Sequence, residues 1–338
     1  MAEMIKKTVY PRIGFLGNPS DGFRGKTIGF PFRNFAAEVI LWPSESLKFI
    51  LNADDQDEFA SVFELYRVTQ SSGYYGGVRL MKAAITVFVR FCQTKKIRLH
   101  RRNFTLEYRS TIPLQRGLAG SSAIITGTIK ALIEFYYLAQ NLFPPAILAS
   151  IVLEAETREL GIAAGLQDRV VQAYNRPVFM DFSKEAFDKN DGLFGSYKPF
   201  SAKLLPAMGL VWNQTMSESG KIHSDIKSRF EKGDKEVILA MEKFAEFAGE
   251  GMKALNEKNF QKVCKLINAN FDLRRRLYGD KVVGRENIEM VETVRSLGAA
   301  AKFPGSGGSV VFVAKEDKID RIVLELSKRE YQSERIII

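Results

Sequence analysis

The sequence predicts an α+β fold in two domains, and three observations carry that expectation. Residues 8–51 run in short β-like stretches, the middle of the chain has helical spacing, and the end closes as strand, loop, strand, helix, strand. The 338 residues, 46% of them hydrophobic, are enough for two cores. A glycine-rich loop, Pro113 to Ala123, runs straight into a long apolar helical pattern.

The elements follow in order. RIGFLG, TIGFPF and AAEVILW are separated by glycine, proline and polar turns, which fits a mixed or antiparallel sheet. Helical patterns cover about 56–69 and 76–94, and a pair of strands, IRLH and RNFTLEYRS, leads to the glycine loop. Helices over about 121–139, 144–160 and 166–174 precede a strand near Pro177 to Phe182. Residues 183–206, rich in Lys, Gly, Ser and Asp, read as the approach to a second domain, so the expected division is 1–183 and 184–338. GLVWNQ is then a strand, three helices fill about 218–279, and another spans 286–297. No internal repeat or low-complexity tract interrupts this order.

Composition narrows the function classes. The longest apolar runs fall short of a membrane span, and MAEMIKKTVYPR lacks the apolar stretch of a signal peptide, so a cytoplasmic protein with no membrane partner is expected. Cys92 and Cys264 lie far apart in apolar helical contexts, which suggests packing rather than a disulfide or zinc site. The net charge of +10 is spread along the chain without interleaved aromatics, so a small anionic ligand explains it as well as nucleic acid, and no nucleic-acid partner is expected. His100 and His223 are too isolated for a metal cluster. SDGFRGKT ends like a phosphate loop, but Ser20 stands where the first glycine belongs, and the segment lies among hairpin-like strands.

Three segments carry chemistry. In PLQRGLAGSSA, Gly117 and Gly120 permit close backbone approaches, the following helix start offers free N–H groups to an anion, and Ser121 and Ser122 can cap, touch phosphate or ligate Mg²⁺. A capped helix after a tight turn has the same pattern. In AKFPGSGGSVVFV, Gly305, Gly307 and Gly308 sit between β-like runs, either as a hairpin or as a ligand-facing loop. In LEAETRELGIAAGLQDRV, a small-residue turn separates Glu156 from Asp168, and phosphoryl transfer needs one carboxylate for Mg²⁺ and one to orient or deprotonate the attacking hydroxyl.

In this order, YPRIGFLGNPSD, PLQRGLAGSSA and AKFPGSGGS resemble the three signatures of the GHMP kinases, the family of galactokinase, homoserine kinase and mevalonate kinase. The second fits Pro, three residues, then GLxxSSA, one residue longer than the commonest form because Ala119 and Gly120 both separate Leu118 from Ser121. Further runs, GYYGGVRL, GLQDRV, MDFSKE, NFDLRRR and NIEMVE, resemble the glucuronokinase branch of that family. The resemblance implies a two-domain GHMP kinase fold, with an N-terminal mixed sheet and helices and a C-terminal ferredoxin-like layer. It also implies transfer of the γ-phosphate of ATP to the anomeric hydroxyl of D-glucuronate, with Mg²⁺.

The resemblance assigns roles residue by residue. Asp168 corresponds to the base or orienting carboxylate, and Arg12 to the cation that stabilises charge on the transferring group. Pro113, Gly117, Leu118, Ala119, Gly120, Ser121, Ser122 and Ala123 would form the triphosphate loop. Ser122, with Ser121 second, and Glu156 would hold the metal. Asn18 and Asp21 fall where galactokinase-like members grip sugar hydroxyls, although Asn18 and Pro19 replace the usual Glu-His pair. Gly305, Ser306 and Gly307 would shape the sugar and γ-phosphate end. A uronate carboxylate calls for arginine, and Arg79, Arg169, and Arg274 or Arg275 in NFDLRRR are the candidates. Tyr75, with Tyr74, either walls the sugar or caps the core. The partners expected are a small-molecule sugar acid and ATP, with the protein a monomer or homodimer. Two other readings stay open: another sugar 1-kinase, for galacturonate, galactose or arabinose, and a non-catalytic ligand-binding regulator.

Overall fold

The computed structural model describes residues 4–52, 55, 60–63, 76–162, 164–213 and 224–338. In chain order the strands and helices begin with β1 (Ile5–Val9), β2 (Arg12–Leu16), β3 (Lys26–Pro31), β4 (Ala37–Ser44), β5 (Lys48–Phe49), α1 (Gly77–Thr94), β6 (Asn103–Ser110), α2 (Gly120–Phe135), α3 (Pro145–Glu154) and α4 (Gln167–Tyr174). They continue with β7 (Val178–Asp181), α5 (Lys184–Asp188), β8 (Ser196–Pro199), β9 (Met208–Trp212), α6 (Ser224–Glu231), α7 (Lys235–Asn256), α8 (Phe260–Tyr278), α9 (Asp280–Val283) and α10 (Arg285–Ser296). The closing elements are β10 (Ala300–Lys302), β11 (Ser309–Val313), α11 (Ile319–Ser327) and β12 (Gln332–Arg335). Among the described residues, no helix is long and apolar enough to cross a membrane.

These elements form two compact units, both discontinuous in sequence: Met1–Tyr10, Phe35–Ile112 and Gly120–Ala164 in one, and Pro11–Asn34, Pro113–Ala119 and Gly165–Ile338 in the other. Residues 165–183 and the early β2–β3 hairpin therefore group with the C-terminal half.

The first unit contains a mixed sheet in the order β1-β4-β6-β5, antiparallel except where β5 runs parallel to β6. Helix α1 buries Gly77, Leu80, Met81, Ala84, Val87, Phe88 and Cys92, the one-face spacing of an amphipathic helix. Burying a side chain the size of Phe88 contributes about 1.5–3 kcal/mol. Helix α2 packs on β1 and β4, and it can come this close because residue 127 is glycine: a Cβ there would meet Val39 at 2.8 Å.

The second unit holds two antiparallel sheets, β2-β3-β7-β8 and β10-β11-β9-β12. The latter, with helices between β9 and β10 and α11 between β11 and β12, is a βαββαβ arrangement in ferredoxin-like order. β11 reads SVVFV and is buried throughout, as an apolar central strand should be. Asp234 caps α7 by accepting the Glu236 and Val237 N–H groups, and Asn259 caps α8 through Lys262.

Several local expectations change. Ile97–His100 is not a strand: the Ile97 N–H turns back to the Cys92 carbonyl at 2.8 Å after Lys96 adopts φ 55°, so this backbone closes α1 and joins no sheet among the described residues. The helix expected over 144–160 stops at Glu154 and continues as a π-helical turn, Ala155–Glu159. Residues 183–206 are not a bare connection, because Ser183 caps α5 and β8 pairs with β7. The helix expected over 56–69 falls largely outside the described residues.

Candidate active site

In the second unit, β2, the residues after it, the 113–119 loop, α4 and the 303–308 loop meet around two side chains. Arg12, 4% exposed, points its Nε at Asp168 Oδ1 over 2.5 Å. Its Nη1 donates to the carbonyls of Gly117 at 2.7 Å and Pro304 at 2.9 Å, so one guanidinium joins the first residue of β2, the first residues of α4 and both glycine loops. The loops can touch through backbone because the residues at the contact, Gly117 and Gly305, lack side chains. Gly117 has φ +64°, and a Cβ on Gly305 would stand 2.1 Å from the Gly117 carbonyl oxygen. Arg12 N–H also bonds to Leu118 O at 3.2 Å, and Gln172 Nε2 donates to Ala119 O at 2.9 Å.

The proposed sugar-gripping residues are held firmly. Asp21 Oδ2 accepts the N–H groups of Leu166 and Gln167 at 2.8 and 3.2 Å, so a remote carboxylate caps α4 just ahead of Asp168. Burial first, then the nearby Asp168 charge, push the Asp21 carboxyl above its ordinary value. Asn18 Oδ1 accepts from Lys302 Nζ at 2.6 Å, and Asn270 bridges the Gly17 N–H and the Asn18 carbonyl.

Of the arginines proposed for a carboxylate, Arg274 is buried with its guanidinium bonded to Gly305 O at 2.7 Å and Ser306 O at 3.0 Å, and it lies over the Tyr278 and Phe303 rings. It therefore shapes the loop that contains Gly305, Ser306 and Gly307. Arg169 is buried, donates to Gly165 O and approaches Asp168 Oδ2 at 3.8 Å. Arg275 pairs with Asp280 and Glu292 on the surface.

The first unit holds the other predicted group. Helix α2 begins at Gly120, leaving Ser121 half-buried and Ser122 and Ala123 buried on its first turn. Ser122 Oγ donates to Glu156 Oε1 at 2.8 Å, and both are 2% exposed. Glu156 lies in the π-helical turn, and its carbonyl accepts the Ile162 N–H at 2.8 Å. A hydroxyl and a carboxylate are hard oxygen donors, the type Mg²⁺ takes, so this pair fits that ion. Arg79 lies on the first turn of α1, half-buried, with its Nε without a hydrogen-bond partner among the described residues. Pro113 opens the loop in the second unit, and Tyr75 lies outside the described residues.

Sequence reading passed over three residues here. Lys302, 1% exposed, donates to Gly14 O, Asn18 Oδ1 and Phe303 O, and a lysine inside the apolar run AAKF was the available signal. Gln167 donates to Asp21 Oδ1 at 3.3 Å while its buried Oε1 has no partner among the described residues. The third is Arg24, an arginine at φ 60° that no pattern in the sequence announced.

Residues 79–176 match the model of the GHMP kinases N terminal domain, and residues 252–332 that of the GHMP kinases C terminal. With the loops and carboxylates described above, the chain belongs to the GHMP kinase family. It is 46% identical to glucuronokinase 1 of Arabidopsis thaliana over 92% of this chain and 85% of that protein. It is 45% identical to the probable glucuronokinase 2 of the same plant, over 91% and 83%. In fold it is similar to the Methanococcus jannaschii mevalonate kinase, with a TM-score of 0.70 at 16% identity, covering 99% of this chain and 98% of that one. The Lactococcus lactis galactokinase gives a TM-score of 0.71 at 13% identity, covering 99% and 94%.

Proposed function

We propose that this protein is an ATP-dependent sugar-acid kinase that phosphorylates D-glucuronate at its anomeric hydroxyl, releasing ADP and glucuronate 1-phosphate. The observation that carries the reading is the part-buried Arg12–Asp168 pair, anchored to both glycine loops. The likeness to the two Arabidopsis proteins supplies the sugar.

Asp168 orients the anomeric hydroxyl and takes its proton. The freed oxygen forms its bond to the γ-phosphorus while the bond from that phosphorus to the β,γ-bridging oxygen breaks, and the electron pair leaves with ADP. Arg12 offsets negative charge on the transferring group, and its carbonyl contacts hold it in place before reaction, so little reorganisation is needed. The loop Pro113–Ala123 and the start of α2 supply N–H donors for the triphosphate. Ser122 and Glu156 would hold Mg²⁺, which when bound neutralises phosphate charge. Gly305, Ser306 and Gly307, steadied by Arg274, wall the reacting end.

The test is ADP release with Mg²⁺ across glucuronate, galacturonate, glucose, galactose and arabinose, for the native protein and Asp168→Asn. The expected result is turnover on glucuronate, reduced about 10²–10⁴-fold by the substitution. Turnover on another sugar alone would replace the acceptor, and no turnover on any would favour a regulator.

A further inference from the structure

A sugar acid differs from a neutral sugar by one carboxylate, so the protein must present a cation with free donors. In the second unit, Arg12, Arg169 and Arg274 all donate to protein oxygens, and Arg275 is paired with Asp280 and Glu292. Arg24 is different. It is exposed, and its side chain forms no hydrogen bond or ion pair with any described residue.

Its place is specific. Arg24 ends the 3₁₀ turn Ser20–Phe23 with φ 60°, ψ 24°, a left-handed conformation that glycine or asparagine adopts more readily. It lines a cavity of about 320 Å³ with Asp21, Leu166, Phe182, Lys184 and Phe187. That volume falls at the small end of ligand cavities, about 300–1,000 Å³. Leu166 is two residues before Asp168 and bonded to Asp21, so the cavity shares a wall with the proposed catalytic helix. Phe187, half-buried in a lining shared with the buried Phe182, offers an apolar face of the kind that covers sugar C–H groups. Lys184, its side chain 69% exposed, has among the described residues only a 3.4 Å pair with Asp188 on its own short helix, a weak tie that leaves its charge available.

We propose that Arg24, assisted by Lys184, receives the carboxylate of the acceptor and is the residue that makes this kinase select sugar acids. The inference rests on the kinase reading above. Guanidinium and carboxylate match as a fork of parallel N–H···O bonds, and the lysine ammonium adds charge without fixing direction.

The experiment measures kcat and KM for D-glucuronate, its neutral amide D-glucuronamide and D-glucose with the native protein, Arg24→Gln, Arg24→Lys and Lys184→Gln. Expected for Arg24→Gln is a KM for glucuronate raised tenfold or more, kcat within about threefold of native, and unchanged constants for the neutral sugars. Arg24→Lys should recover part of the affinity, and Lys184→Gln should lose less than Arg24→Gln. If the native protein turns over glucuronate and Arg24→Gln leaves its KM within twofold, or weakens acid and neutral sugars equally, the inference is overturned and the kinase reading stands. If the native protein phosphorylates only neutral sugars, the sugar-acid reading fails before any substitution is made, and the inference fails with it.

Discussion

Asp21 Oδ2 lies 2.8 Å from the Leu166 N–H and 3.2 Å from that of Gln167, so a carboxylate from the turn after β2 caps the helix that carries Asp168. It satisfies N–H groups that a helix start leaves open, and it fixes the first turn from outside the helix. Burial is the larger influence on this carboxyl and raises its pKa; the Asp168 charge adds to the rise.

The direction of that shift gives a stability prediction. With the folded value above the unfolded one, the folded state binds the proton first, so the stabilisation linked to Asp21 is full below the ordinary value of 3.8 and is lost as pH rises through the raised value. Asp21→Asn keeps a carbonyl for Leu166 and Gln167, and its amide can donate to the orphan Gln167 Oε1 once that side chain turns over. Urea midpoints for Asp21→Asn should match native near pH 4 and exceed it at pH 7, whereas Asp21→Ala should lose about 0.5–2 kcal/mol throughout. Parallel pH curves for native and Asn forms would mean that Asp21 titrates normally.

Much of the architecture was legible because periodicity reports burial directly: α1 buries its 3.6-spaced face and β11 its continuous apolar run. The glycine loops were legible as loops, yet the pairing of Gly117 with Gly305 is a long-range contact that local pattern cannot encode. IRLH misled because its alternation resembles a strand, while the deciding event, return of the Ile97 N–H to α1, belongs to the helix end. Asp21 read as a sugar contact from its place in a signature, and its capping bonds depend on residues 145 and 146 positions away.

A pair of glycine substitutions should separate close approach from mere flexibility. A Cβ at Gly305 would stand 2.1 Å from Gly117 O and 2.9 Å from both terminal nitrogens of Arg12. Gly305→Ala should therefore cost about 1–3 kcal/mol and lower kcat/KM on the order of 100-fold through displacement of Arg12. Gly249, inside α7, meets nothing within 4 Å, so Gly249→Ala should stabilise by about 0.5–1 kcal/mol with activity unchanged. Thermal melts alongside initial rates would check both, and equal behaviour of the two variants would remove the close-approach argument.

The Ser122–Glu156 pair predicts a metal signature. Glu156→Gln keeps the shape and a hydrogen-bonding oxygen for Ser122 but removes charge, so the Mg²⁺ concentration for half-maximal rate should rise about tenfold or more with little loss of stability. Ser122→Ala should raise it less and cost about 1–2 kcal/mol from the lost buried bond. A Mg²⁺ titration that is superimposable for native and Glu156→Gln would reduce the pair to a brace between α2 and the π-helical turn.

Lys302 offers the sharpest test of how the second unit holds its loops. Its ammonium has three donors and meets three oxygens, Gly14 O, Asn18 Oδ1 and Phe303 O, at 2.7, 2.6 and 2.7 Å. Burial, with the Arg274 and Arg12 charges adding to it, draws its pKa well below the ordinary 10.5. Below that lowered value the ammonium donates to all three oxygens; between it and 10.5 the folded lysine is a neutral amine with two donors while the unfolded chain still binds the proton, so this group makes stability climb as pH rises across the window. Lys302→Met fills similar volume but leaves the oxygens without their donor, and the expected loss is about 3 kcal/mol or more at neutral pH. The climb with pH should vanish in the variant. Because Asn18 would lose its Lys302 contact, KM for the sugar should rise more than kcat falls in whatever fraction folds. Denaturation across pH 7–10, paired with rate measurements, would decide: a variant as stable as native would show that the lysine fills space and that its three bonds contribute nothing net.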